Sequence, residues 1–360
     1  MKKFILISLI SVVLLAATGW AVYQIFFNSV KTITLSEKKY KWVETSLSKS
    51  ANEYFWEQFH QGNYDSIPVI LEKLTAAYLD NPNDIRTVTH LGFTHMWAIS
   101  EHKNNSNPRA IEHATLAQKY FGESYQMNPR DTRVLSFLSS IKLANGAISK
   151  DNGLLKDGYL NGQKAIREWK SFSAFSLGYT LSRLPHTDEK FQEALQLMGD
   201  IASSYAEDFD PKSSATQQAI SGMELLNNKD TSKDRVLKNS WVAPHNIESV
   251  FMVYGDMLVK NGDWKDAIDV YKLARFSEQY DSWDYKDVLE RRIINAEANV
   301  ELFRKENPSS QESEIGKTIL VQTGISCRSC HQMSKTDKER FFKDYDVSNL
   351  LTKEFYLLEP

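Results

Sequence analysis

Only two cysteines occur in this chain of 360 residues, and both fall within one five-residue unit near the C-terminus. A fold stapled by several disulfides is thereby excluded, so stability must come from a packed core, for which the length is ample. Glycine and proline are sparse, 15 and 9 residues, and they sit mainly at the boundaries of apolar periodic stretches. No alternating β-branched run is long enough to predict a strand. Charge of one sign is lacking as well. With 43 Lys and Arg against 46 Asp and Glu, the formal net charge is −3, which leaves no electrostatic footprint for nucleic acid.

Long hydrophobic runs are absent save one. Lys2 and Lys3 precede an uncharged, mostly apolar stretch from Phe4 to Phe27. That stretch exceeds the usual signal-peptide core of about 7–15 residues and approaches the roughly 20 needed to span a bilayer. Residues 1–30 are therefore predicted to be an N-terminal transmembrane anchor. A removed signal peptide, cut near Gly19-Trp20-Ala21, is the second reading, and a buried N-terminal helix the third. In the first two the lysine pair stays in the cytoplasm and the rest of the chain is exported. The expected location is the periplasmic side of a bacterial inner membrane, with residues 31–39 as a polar juxtamembrane linker.

Residues 40–305 read as helical almost throughout. In Tyr254-Gly255-Asp256-Met257-Leu258-Val259-Lys260-Asn261-Gly262-Asp263-Trp264, an apolar helix ends at an Asn-Gly turn and another begins. Small residues at Gly255, Ala267 and Ala274, with Tyr271 among them, have the spacing of a tetratricopeptide repeat. Leu91-Gly92 with Ala117 and Phe121 repeats the pattern across a longer connection, and Asn81-Pro82-Asn83-Asp84 and Asn128-Pro129-Arg130-Asp131 repeat a stop signal. Further helices are predicted over 132–147, 154–184, 189–206 and 285–304. The fold expected is all-α: a tetratricopeptide-like helical-repeat solenoid with an N-terminal anchor or signal and a short C-terminal tail. Glu306 to Ser313 is a polar linker that opens this tail, residues 306–360.

The two cysteines lie in Cys327-Arg328-Ser329-Cys330-His331. Thiols three residues apart share one face of a helical turn, so Cys327 and Cys330 can both form thioethers with the vinyls of one covalent haem c. His331 then sits beneath the ring as proximal iron ligand. An exported chain places this unit where bacterial haem attachment occurs, so the signals at the two ends agree. A zinc site of Cys327, Cys330, His331 and a remote fourth ligand competes with this reading. A thioredoxin-like redox pair would want a βαβ context, which the pattern lacks.

These residues together resemble exported tetratricopeptide-repeat proteins that carry a single C-terminal haem-attachment unit. The run from Pro244-His245-Asn246 to Gly262-Asp263 carries the resemblance, with Tyr280-Asp281-Ser282-Trp283-Asp284-Tyr285 and the cysteine unit. It implies an architecture and no particular activity.

Downstream of Met333 there is neither Met nor His, and Met333 follows His331 too closely to reach the opposite haem face. The sixth iron position is then filled from the body, by another chain, by water, or not at all. His60, His90, His95, His102, His113, His186 and His245 are the upstream histidines, each by itself an ordinary surface or core residue. His245, after Pro244 at an expected helix start, is the first choice as distal ligand. His90 and His95, on a helix expected to face the inside of the solenoid, come next. Tyr280, Trp283 and Tyr285 could pack on a porphyrin edge but suit a core equally well.

The function expected is electron transfer, with the helical-repeat surface docking a protein partner that exchanges the electron. An open-iron enzyme or sensor for peroxide or a gas is the alternative, and needs a distal acid–base group that the sequence does not place. A scaffold with a structural haem is the third reading. No residue is assigned a catalytic role, the inner membrane is contacted through the N-terminal segment, and no nucleic acid partner is expected.

Overall fold

The computed structural model describes residues 44–60, 62–100, 109–222 and 247–305. All regular structure among the described residues is helical. The helices are α1 (Ser46–His60), α2 (Ile67–Asp80), α3 (Ile85–Ser100), α4 (Ala110–Met127), α5 (Thr132–Ser149), α6 (Asn152–Glu168) and α7 (Lys170–Leu181). They continue with α8 (Glu189–Ser203), α9 (Ser214–Ser221), α10 (Ile247–Asn261), α11 (Trp264–Leu273), α12 (Lys286–Ile294) and α13 (Asn299–Arg304). Short 3₁₀ turns at Tyr64–Ser66, Ala274–Phe276 and Tyr280–Ser282 fill gaps between them.

The turns follow from local chemistry. Asn81 ends α2 and Asn128 ends α4 in nearly the same conformation, φ −143° and ψ 87° against φ −138° and ψ 89°. A proline follows each and cannot continue the helix. Two residues later an aspartate starts the next helix: Asp84 accepts from Arg86 N at 3.0 Å, and Asp131 from Arg133 N at 3.0 Å. Such side-chain caps satisfy backbone donors that the first helical turn leaves open. Asp151, Asp188 and Ser213 cap α6, α8 and α9 in the same way.

Consecutive helices pack in pairs, α1 with α2, α3 with α4, α5 with α6, α7 with α8 and α10 with α11, while α1 also touches α3 and α5 touches α7. The contacts within two of these pairs match residue for residue. Ala117, Phe121 and Ser124 on α4, and Ala267, Tyr271 and Ala274 after α10, are all fully buried. Their ring lies against a glycine of the preceding helix. A Cβ at Gly92 would stand 2.7 Å from the Phe121 ring, and one at Gly255 would fall still deeper inside the Tyr271 ring. Gly255→Ala should therefore destabilise the protein by about 3 kcal/mol, the upper end of the overpacking range. Urea unfolding monitored by circular dichroism checks this, and a loss under about 0.5 kcal/mol would show that α10 and α11 separate freely.

Helix α10 is the most enclosed element, buried almost throughout from Ile247 to Lys260. Its polar residues are paired inside. Tyr271 Oη donates to Asp256 Oδ1 at 2.7 Å, and Arg292 Nε stands 2.7 Å from the same oxygen, an ion pair whose N–H is not aimed along a hydrogen-bond direction. Burial, and then the Asp256 charge, hold the Tyr271 phenol in its neutral form far above the usual tyrosine range. Lys260 Nζ donates to Ser182 O at 2.8 Å.

Two expected helices are each divided. The stretch 154–184 is α6 and α7, separated at Trp169, whose φ of −151° and ψ of 82° turn the chain. Its indole stacks on Phe172 at 5.0 Å and is buried, so tertiary packing holds a break that no Gly or Pro announces. The stretch 285–304 is α12 and α13. There Asn295 Nδ2 donates to Arg291 O at 2.9 Å, a side-chain bond that competes with helix continuation. Among the described residues no helix is long and apolar enough to cross a membrane, and the run 4–27 lies outside them.

Candidate functional site

The unit Cys327 to His331, together with Met333, His245 and His102, lies outside the described residues, as does the side chain of His60. The remaining histidines occupy two buried clusters and one turn. His90 is fully buried on α3, with Nδ1 2.6 Å from Asn52 Oδ1 and its ring stacked on Phe55 at 4.3 Å. Since the Asn52 amide nitrogen donates to Thr87 Oγ1 at 3.2 Å, its oxygen faces His90 and accepts from an Nδ1–H. His95, also on α3, has Nδ1 2.9 Å from His113 Nδ1 on α4 and stacks on Tyr120 at 5.7 Å. Burial, and then the neighbouring His113, lower His95 to about 4. Tyr280 and Trp283 are buried in the core around α12, with Tyr285 packed against them.

His186 lies in the turn between α7 and α8, where several elements are tied together. Gln192 Nε2 donates to His186 O and to Asn261 Oδ1, each at 2.8 Å. Arg304, near the last described residue, donates from Nη2 to Asn261 O at 2.9 Å and from Nε to Lys260 O at 3.0 Å. The Arg304 and Lys260 cations stand close enough to depress His186, after burial, below its ordinary value. The C-terminal end of α13 is thus anchored beside the α7–α8 turn.

A cavity of about 830 Å³ opens against the same turn, walled by α3 to α8 with Val250 reaching it from α10. That volume is in the range of small-molecule and cofactor sites. Phe137, Ile141, Phe172, Phe175 and Tyr179 give it apolar walls, and Met96 faces it from α3. Phe137 meets Phe172 edge to face at 5.8 Å, and Phe175 stacks with Tyr179 at 6.2 Å. The hydroxyls in this wall satisfy one another: Ser140 and Ser176 stand 2.9 Å apart, and Thr180 Oγ1 donates to Ser176 O at 2.8 Å while standing 2.9 Å from Ser140 Oγ. Tyr159 donates to Glu193 at 2.7 Å, and burial followed by that bond pushes its phenol up to about 12.

Charge is confined to the lip. Lys156, Arg183 and Lys190 are exposed there, with Arg183 6.0 Å above the Tyr179 ring and Lys190 5.0 Å above Tyr159. Asp188 is the acid among them, and its carboxylate accepts from Lys190 N at 2.8 Å as the cap of α8. An apolar cavity with cations at its mouth suits a hydrophobic molecule bearing anionic groups. Sequence reasoning did not assemble this cavity, although Phe172, Ser176 and Thr180, like Phe175 and Tyr179, follow the four-residue spacing of a single helix face.

Among the described residues no group of three or more His, Cys, Asp and Glu is placed to hold a metal ion. No protein-family model, curated protein or solved structure matches the chain.

Proposed function

We propose that this chain is a periplasmic c-type haem protein of electron transfer, held at the inner membrane by residues 1–30, with a tetratricopeptide-like repeat body that docks a protein partner. The observation that carries the reading is Cys327-Arg328-Ser329-Cys330-His331 at one end of a chain whose other end has the character of an export segment. A haem supplies one-electron exchange between ferric and ferrous iron. The chain's own residues would hold it by thioethers at Cys327 and Cys330 and by the His331 imidazole.

Support for a repeat body comes from the matched Gly92–Phe121 and Gly255–Tyr271 contacts and from α1 touching α3 and α5 touching α7, the stacking expected when helix pairs succeed one another. Such bodies commonly present protein-binding surfaces, which is why the partner is proposed to be another protein. Expression of the full chain with a c-type maturation system, followed by a haem-stained denaturing gel and an absorption spectrum, tests the reading. The expected result is covalent haem with a six-coordinate, low-spin spectrum unchanged by cyanide or carbon monoxide. Absence of covalent haem would reject the proposal. A high-spin spectrum with rapid ligand binding would replace electron transfer by the sensor or enzyme alternative.

A further inference from the structure

We propose that the cavity walled by α3 to α8 binds a fatty acid, with the acyl chain inside and the carboxylate at the mouth, a function that requires no haem. Three observations converge on it. The first is the polarity of the wall. Phe137 and Ile141 from α5 and Phe172 and Phe175 from α7 make the interior apolar. Its hydroxyls are turned on one another and on main chain, Ser140 beside Ser176 at 2.9 Å and Thr180 Oγ1 on Ser176 O at 2.8 Å. A peptide laid along this wall would bury N–H and C=O groups that need partners. A hydrocarbon chain needs none.

The second is the charge at one end. Tyr159 donates to Glu193 at 2.7 Å, which joins the first half of α6 to the start of α8. Lys190 stands 5.0 Å above the same Tyr159 ring. Lys156 lies one turn earlier on α6, and Arg183 follows the end of α7 in the turn that leads to α8. All three cations are exposed, and none forms an ion pair with a described residue. The neighbouring carboxylates are committed: Asp188 accepts from Lys190 N at 2.8 Å as the cap of α8, and Glu193 accepts from Tyr159 and Gln163. Arg183 and Lys190 lie over aromatic faces, contacts that are weak at exposed sites. The mouth therefore offers positive charge to a carboxylate, which binds it through charge-assisted hydrogen bonds.

The third is length. Phe172, near the start of α7, meets Phe137 edge to face at 5.8 Å and marks the end remote from the cations. From Phe172 to Leu181, which also lines the cavity, α7 rises about 14 Å. That distance accommodates an extended acyl chain whose head reaches Arg183. Ile148, in the last turn of α5, lines the cavity yet is 54% exposed, an apolar surface that a bound chain would cover.

The test uses the full chain in phospholipid nanodiscs, with lauric acid carrying a diazirine at its methyl end as the probe. Illumination and peptide mapping should label α5 and α7 around Phe137 and Phe172, and the labelling should saturate. Unlabelled lauric acid should displace the probe, and dodecanol, which has the chain without the charge, should compete about tenfold more weakly. Arg183→Glu with Lys190→Glu should raise the half-saturating concentration about tenfold or more, because the mouth would then repel the carboxylate. Ala144→Phe, which extends a ring into the cavity from α5, should abolish labelling. Lys49→Glu, on α1 and away from the cavity, should leave it unchanged. Circular dichroism checks the fold of each variant, and the exposed charge reversals decide the matter if Ala144→Phe does not fold. Label that is absent, fails to saturate or maps to other helices overturns the inference. So does equal competition by dodecanol, or an affinity indifferent to the charge reversals. None of these outcomes bears on covalent haem, which the stained gel reads separately.

Discussion

Asp256→Ala is expected to lower folding stability by about 3–5 kcal/mol, the range for removing one partner of a buried ion pair. Asp256 is fully buried on α10 and serves two partners at once, the Tyr271 hydroxyl and the Arg292 guanidinium, each at 2.7 Å. Arg292 is itself 4% exposed, set 5.7 Å over the Phe303 ring with Nη1 3.4 Å from Met252 Sδ. A guanidinium cannot discharge itself by losing a proton, so deleting Asp256 strands a charge in an apolar interior. Urea unfolding with an unchanged m-value gives the measurement. The double variant Asp256→Leu with Arg292→Met should recover part of the loss, because removing both charges also removes both desolvation costs. Glu53→Ala, which breaks an exposed pair with Lys49 at 3.9 Å, should change stability by no more than about 0.5 kcal/mol. A loss under about 1 kcal/mol for Asp256→Ala would mean that water reaches Arg292 once the carboxylate is gone.

The same cluster shows what could be read in advance and what could not. The Gly255, Ala267, Tyr271 and Ala274 spacing is local, and it correctly anticipates a close crossing of α10 and α11, as Gly92 and Phe121 do for α3 and α4. The two Asn-Pro turns are equally legible, since a helix stop and an aspartate cap need only four consecutive residues. Arg292 was not legible as the partner of Asp256, because no local pattern joins residues brought together by folding. The break at Trp169 was missed for a related reason. Its indole is fixed by burial against Phe172, and nothing in the flanking sequence stops the helix. The candidate site divides along the same line. The proposed haem attachment needs two thiols and an adjacent imidazole at fixed short spacing, so that proposal rests on five residues alone, which lie outside the described ones. The cavity is lined from seven helices, α3 to α8 and α10, that lie far apart along the chain, so no local pattern announces it.

Lowering the pH from 6.5 to 4 is expected to remove about 3 kcal/mol of stability through His95 alone. Its ring is buried against His113 and Tyr120, and its ionisation in the fold is lowered to about 4. Burial is the main cause and His113 the second, with Arg109 and Lys119 adding in the same direction and Glu112 opposing them. In the unfolded chain His95 takes up a proton near 6.5. Between that pH and about 4 the unfolded state therefore binds more protons, and stability falls as the pH falls. Above 6.5 both states are neutral at this site, so its full contribution is present there. Below 4 both are protonated and no further loss arises from it. Carboxylates begin to titrate at the low end of the same window, so the effect is read as a difference. His95→Gln keeps a polar group beside His113 without a titrating proton, and its stability should vary less with pH by about 3 kcal/mol over this range. An NMR titration of the His95 ring gives the site directly, and a midpoint at 6 or above would refute the assignment.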